Sequence, residues 1–166
     1  MIRDDEIGRL VNYIKGLGLK VIFSSSSKAE AAASCSLDNT EITIFLKNNK
    51  SKTDIVLSLI HEAGHASHAI WQHNRVVDKS LEKAMDKQDT SKKARKKILQ
   101  DEKTAASYWD IVVRDTNIKL PKWRIELQKE YDIWQYEEFY QTGKFPNQTL
   151  KNKKFKELKQ KWRSHV

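Results

Sequence analysis

EITIFLKNNKSKTDIVLSLIHEAGHASH, residues 41 to 68, changes its period halfway along. In EITIFL (41–46), Ile42, Ile44 and Leu46 alternate with Thr43 and Phe45, the period of two that gives a strand two distinct faces. After KNNKSK the apolar residues recur at helical spacing, with Ile55, Leu59 and Ile60 directed at a core. That pattern predicts a helix from about Asp54 to His73, with Ser51 or Thr53 placed to cap it. A strand that runs straight into a long helix bearing HEAGH sets the frame for the rest of the chain.

Upstream, Ile7, Leu10, Val11, Ile14 and Leu17 keep helical spacing over 3–17, and Gly16 and Gly18 supply a stop. LKVIF (19–23) reads as a short buried strand. SSSSKAEAAASCSLDN (24–39) reads as a loop in which strand character returns late. Downstream, one long helix is predicted from about Lys92 to Asp115. Pro121 is placed to open a third, running to about Thr142 before Gly143 and Pro146 break it. Leu150 to Arg163 reads as a short amphipathic helix carrying Phe155, Leu158 and Trp162. Strands early and helices later predict an α+β fold, a small N-terminal sheet packed on a mostly helical body that contains the HExxH helix. The expected organisation is one domain over 1–166, with its core in about 1–118 and a C-terminal helical extension over about 119–166.

The net charge is +9, 31 basic residues against 22 acidic. Much of the excess lies in 79–97 and 144–163, which favours acidic partners without bearing on fold. Cys35 is the only cysteine, which excludes an intrachain disulfide and a cysteine-built zinc site. MIRDDEIGRL has acidic residues and no apolar stretch of the secretory kind, and no apolar run approaches the roughly 20 residues of a membrane helix. A cytoplasmic protein with no membrane partner is expected.

His61-Glu62-Ala63-Gly64-His65 is HExxH inside a segment that reads independently as helix. Residues four apart lie one turn apart on one face, so both imidazoles reach a single ion. Glu62 is rotated by about 100° from His61, which takes it out of the ligand set and leaves it free to act as general base on a water at the open position. Hydrolytic zinc needs three protein ligands and such a position. His68 shares the face, but His61 to His68 spans about 10 Å of helix axis, too far for one straight helix to wrap a tetrahedral ion. It is expected at the rim, in solvent. His73 lies further along, and His165 is almost at the C-terminus. A carboxylate from another helix is therefore expected as third ligand. Glu102 is the leading candidate, because Ala105, Ala106, Trp109 and Val113 share its face and small residues there, with Gly64 opposite, permit close helix approach. Glu82, Asp78 and Asp101 are the alternatives.

Over roughly residues 40–115 the chain resembles the gluzincin metallopeptidases. Within them it is most similar to the compact ImmA/IrrE-type proteins, whose second motif is commonly E-x-E-A-x-x-F-A. Glu102, Ala105 and Tyr108 match that motif, while Thr104 and Trp109 stand where its second glutamate and last alanine would be. The resemblance implies His61, His65 and Glu102 as ligands of Zn2+, Glu62 as catalytic base, and a substrate peptide laid along an exposed strand edge, here EITIFL. The expected function is zinc-dependent hydrolysis of peptide bonds in an intracellular, regulatory protein. The alternatives are a metal-stabilised, non-catalytic binding module and a basic regulator of nucleic acid or protein. For the basic C-terminal region, a nucleic-acid contact is the less favoured reading; an amphipathic helix docked by its apolar side accounts for Phe155 and Trp162 with fewer assumptions. The aromatic set Trp123, Tyr131, Trp134, Tyr136, Phe139 and Tyr140 is read as core.

Overall fold

A computed structural model describes residues 4–26, 32–35, 40–71 and 91–164. His73, Asp78, Glu82, His165 and the part of the basic segment before residue 91 lie outside the described residues. The elements run α1 (Asp4–Gly16), β1 (Lys20–Ser24), β2 (Ala33–Cys35), β3 (Glu41–Phe45), α2 (Lys52–Trp71), α3 (Lys92–Ser107), α4 (Trp109–Thr116), α5 (Lys122–Thr142) and α6 (Gln148–Arg163). This is the α+β fold expected, a three-stranded sheet within a mostly helical chain. The chain forms two compact units, residues 1–77 with 104–119, and 78–103 with 120–166. The division falls inside α3, between Lys103 and Thr104.

In the first unit, α1 places Asp4, Asp5 and Glu6 in its first turn and Lys15 in its last, the arrangement that suits the helix dipole. Leu10 and Ile14 are fully buried. Gly18, at φ 86°, turns the chain into β1. The sheet order is β1–β3–β2. β1 runs parallel to β3, with Val21 opposite Ile42 and Phe23 opposite Ile44. β2 runs antiparallel on the other side, with Ala33 opposite Ile44. Ile42 and Ile44 are fully buried, as the alternation requires. The expectation that EITIFL offers a free edge is corrected by this topology. The chain leaves β1 and returns as β2 on the far side of β3, so β3 is central and both of its edges are paired.

Asn49 joins sheet to helix. It is 6% exposed, and its Nδ2 donates to the carbonyls of Ala32 at 2.8 Å and Phe45 at 2.9 Å. Its Oδ1 accepts from Ser58 Oγ at 2.8 Å. A buried amide so satisfied holds the entry to β2, the end of β3 and the second turn of α2 together. Ser51 caps α2, its Oγ accepting from the Asp54 N–H at 3.2 Å. With that cap the helix starts at Lys52, two residues before the expected Asp54. Val56, Leu57, Leu59, Ile60, Ala63 and Ala66 are buried along it.

The predicted helix from Lys92 to Asp115 is two helices. At Tyr108 (φ −84°, ψ −10°) the N–H bonds to the Ala105 carbonyl at 3.0 Å, a three-residue turn, and the Ser107 hydroxyl bonds back to the Thr104 carbonyl at 2.6 Å. Such back-bonding bends helices without any proline or glycine to announce it. The tighter turn advances the helix face, so that Val112, not Val113, is fully buried beyond it. α4 ends at Asn117 in the left-handed region (φ 51°), where Arg9 of α1 meets it. Arg9 Nε donates to the Thr116 carbonyl at 2.8 Å and Nη2 to the Asn117 carbonyl at 3.1 Å. Buried Glu6 accepts from the Lys119 N–H at 2.8 Å.

In the second unit, Ala94 and Ile98 of α3 pack with Phe139 and Tyr136 of α5. α6 lays Phe155 edge-on to Tyr131 at 5.2 Å between centroids and buries Leu158. Its apolar side is therefore docked, as expected. Phe139 is buried, and Trp123, Tyr131, Trp134, Tyr136 and Tyr140 are half-buried. Glu130 accepts from Lys161 Nζ at 2.7 Å and Trp162 Nε1 at 2.8 Å. Burial pushes its carboxyl up, but those bonds and the charges of Lys161 and Lys154 outweigh burial and hold it below the usual value. This clasp is therefore fully formed at neutral pH and weakens as acid protonates Glu130.

Asn49→Ala strands the Ser58 hydroxyl and two carbonyls, at a cost of about 2–3 kcal/mol. Thermal unfolding followed by circular dichroism should show a midpoint lower by roughly 5–10 °C.

Candidate metal centre

His61 and His65 project from consecutive turns of α2 with their Nε2 atoms 3.2 Å apart and ring centroids 5.0 Å apart. Two nitrogen lone pairs at that distance repel unless a proton or a cation lies between them. A tetrahedral ion bound at about 2.0–2.1 Å per nitrogen needs its ligand atoms about 3.3–3.4 Å apart. The observed spacing is close to that edge length. The ligand atoms of His61, His65 and Glu102 all lie within 4.8 Å of one another. Completing a tetrahedral edge to Glu102 then takes a side-chain adjustment on the order of 1 Å, well inside rotamer freedom. Two imidazoles and one carboxylate are a donor set that suits zinc. The residues therefore fit the metal that the sequence implied.

The burial pattern has the same sense. His61 and His65 are half-buried, whereas Glu62 is 6% exposed and Glu102 7%. A buried carboxylate from α3 and two half-buried imidazoles from α2 thus face one another in a region largely withdrawn from water. Among the described residues, the sequence candidates brought together are His61, His65 and Glu102. Asp101 does not join them, and the alternatives Asp78 and Glu82 fall outside the described residues.

Gly64 shows why the helices come so near. A Cβ built there would stand 2.6 Å from the Ala105 carbonyl oxygen and 3.0 Å and 3.2 Å from Cδ1 and Nε1 of Trp109. The small surface expected at Gly64 is thus occupied by backbone from the segment just after Glu102. Glu102 is one turn before Ala105 on the same continuous helix, so its position follows from this approach.

Two neighbours of the centre were not legible beforehand. Trp109 is 1% exposed, the largest of the fully buried side chains among the described residues, and its ring stands edge-on to His61 at 5.6 Å and 73°. Among the described residues its Nε1 has no hydrogen-bond partner. The one available signal was its departure from the small residue of the similar motif. His68, expected in solvent, is half-buried, with its ring 6.0 Å from that of Tyr108.

Protein purified without a metal-affinity step should carry about one zinc per chain by elemental analysis, and Glu102→Ala should bind it clearly more weakly. Gly64→Ala should cost about 1–3 kcal/mol in unfolding free energy, because backbone on the facing segment must move to admit the methyl group. No family model matches this chain, and neither does any curated protein or solved structure, so the centre stands on its own geometry.

Proposed function

We propose that the chain is a zinc-dependent metallopeptidase of the compact gluzincin kind, which hydrolyses peptide bonds in a regulatory protein of the cytoplasm. The observation that carries this is the convergence of His61, His65 and Glu102, with Glu62 buried beside His61 on the same helix.

His61 and His65 would hold the ion through Nε2, and Glu102 would hold it through a carboxylate oxygen. When bound, zinc supplies Lewis acidity to the scissile carbonyl and lowers the pKa of a water to about 7. Glu62 takes the proton from the attacking water and delivers it to the amine nitrogen as the peptide C–N bond breaks. Its position one residue after His61 keeps it out of the ligand set yet next to it. A purely structural centre has no need of such a base, which favours the enzyme over a metal-stabilised binding module.

The strand that receives substrate is β2 in this reading. β2 lies against α2, and among the described residues no strand pairs with its outer edge. An extended peptide adds to such an edge through backbone hydrogen bonds, and alternate side chains then meet the helix that carries the site.

Glu62→Gln separates enzyme from module. With a proteome-derived peptide library read by mass spectrometry, zinc-loaded wild type should produce new termini. The variant should retain zinc and lose about 10²–10⁴ in rate. Wild type that binds zinc and cleaves nothing would remove the peptidase and leave the module.

A further inference from the structure

Trp109 is a buried donor without an acceptor among the described residues, and it lies against Gly64 and His61 of α2. It is 1% exposed, and its Nε1 makes no hydrogen bond among the described residues. The nitrogen-bearing edge of the indole faces Gly64, one residue before His65, and the ring stands edge-on to His61 at 5.6 Å. Native proteins seldom leave such a group unsatisfied, and where they do the site usually has a use for it. An indole N–H only donates. A histidine that ligates through Nε2 presents Nδ1–H, which also only donates, so His61 cannot be the acceptor in a loaded centre. An oxygen that comes into position with the metal would satisfy it.

We propose that Trp109 is a positioning residue of the metal centre: its ring fixes the plane of the His61 imidazole, and its N–H acquires an oxygen acceptor only in the metal-loaded state. This rests on the metal-binding reading above and extends it to a residue outside the ligand set. The bond is made in one state and missing in the other, so its free energy enters zinc affinity and not the stability of the metal-free fold. Partners of this kind around a metal ligand typically change affinity by about 10–100-fold when removed.

That asymmetry sets the test. Replacing Trp109 with 3-benzothienylalanine keeps the shape of the ring and puts sulfur in place of N–H; Trp109→Phe removes the N–H along with some volume. Zinc affinity is measured with the metal alone, by competition with a chromophoric chelator, beside the unfolding midpoint of the metal-free protein. The expected result for the analogue is a dissociation constant raised about tenfold or more, with a metal-free midpoint unchanged or higher. Visible Co2+ bands, which report ligand geometry, should shift with it. Trp109→Phe should weaken zinc binding in the same direction. Unchanged zinc affinity in the analogue overturns the proposal while the metal centre stands. A lowered metal-free midpoint in the analogue also overturns it, because the N–H would then be an ordinary structural bond. Wild type that binds no zinc brings down the metal centre itself, a result plainly different from either.

Discussion

The contact at Gly64 is the constraint on which the centre depends. With no Cβ there, the Ala105 carbonyl comes closer to α2 than any side chain would allow. That approach seats Trp109 over the same glycine and edge-on to His61. The tight turn at Tyr108 follows at once and separates α3 from α4. Two imidazoles one turn apart come free with any helix bearing the motif. A carboxylate within reach of both requires the second segment to lie this near.

The elements with a strong period were legible. The alternation of EITIFL placed Ile42 and Ile44 in the core, and the switch after KNNKSK announced α2 with Ser51 or Thr53 as its cap, of which Ser51 makes the bond. Pro121 and Gly143 bracket α5 as their backbone preferences predict, Gly143 with φ 75°. What escaped was set by contacts distant in sequence. β3 reads equally well as an edge or a central strand, and only the three-residue β2 on its far side makes it central. The break at Tyr108 lacks proline and glycine altogether. It rests on a hydroxyl–carbonyl bond and on the burial of Trp109, neither of which a single-helix pattern encodes.

The candidate site divides along the same line. His61, Glu62 and His65 follow from local spacing, which helical geometry fixes by itself. Glu102 was legible only through its neighbours, since Ala105 announces a close approach whereas a glutamate alone announces nothing. Trp109 looked like one more apolar residue on that face. Its Nε1 lacks a hydrogen-bond partner among the described residues, a property of the folded environment that no composition or period records.

The two compact units are interleaved along the chain: residues 104–119 return to the first after 78–103 have contributed to the second. Neither unit is a continuous piece of polypeptide. Because the boundary cuts through α3, no single site of truncation or proteolysis separates the units cleanly. Dissection of this protein therefore has to proceed by substitution within the whole chain or by circular permutation.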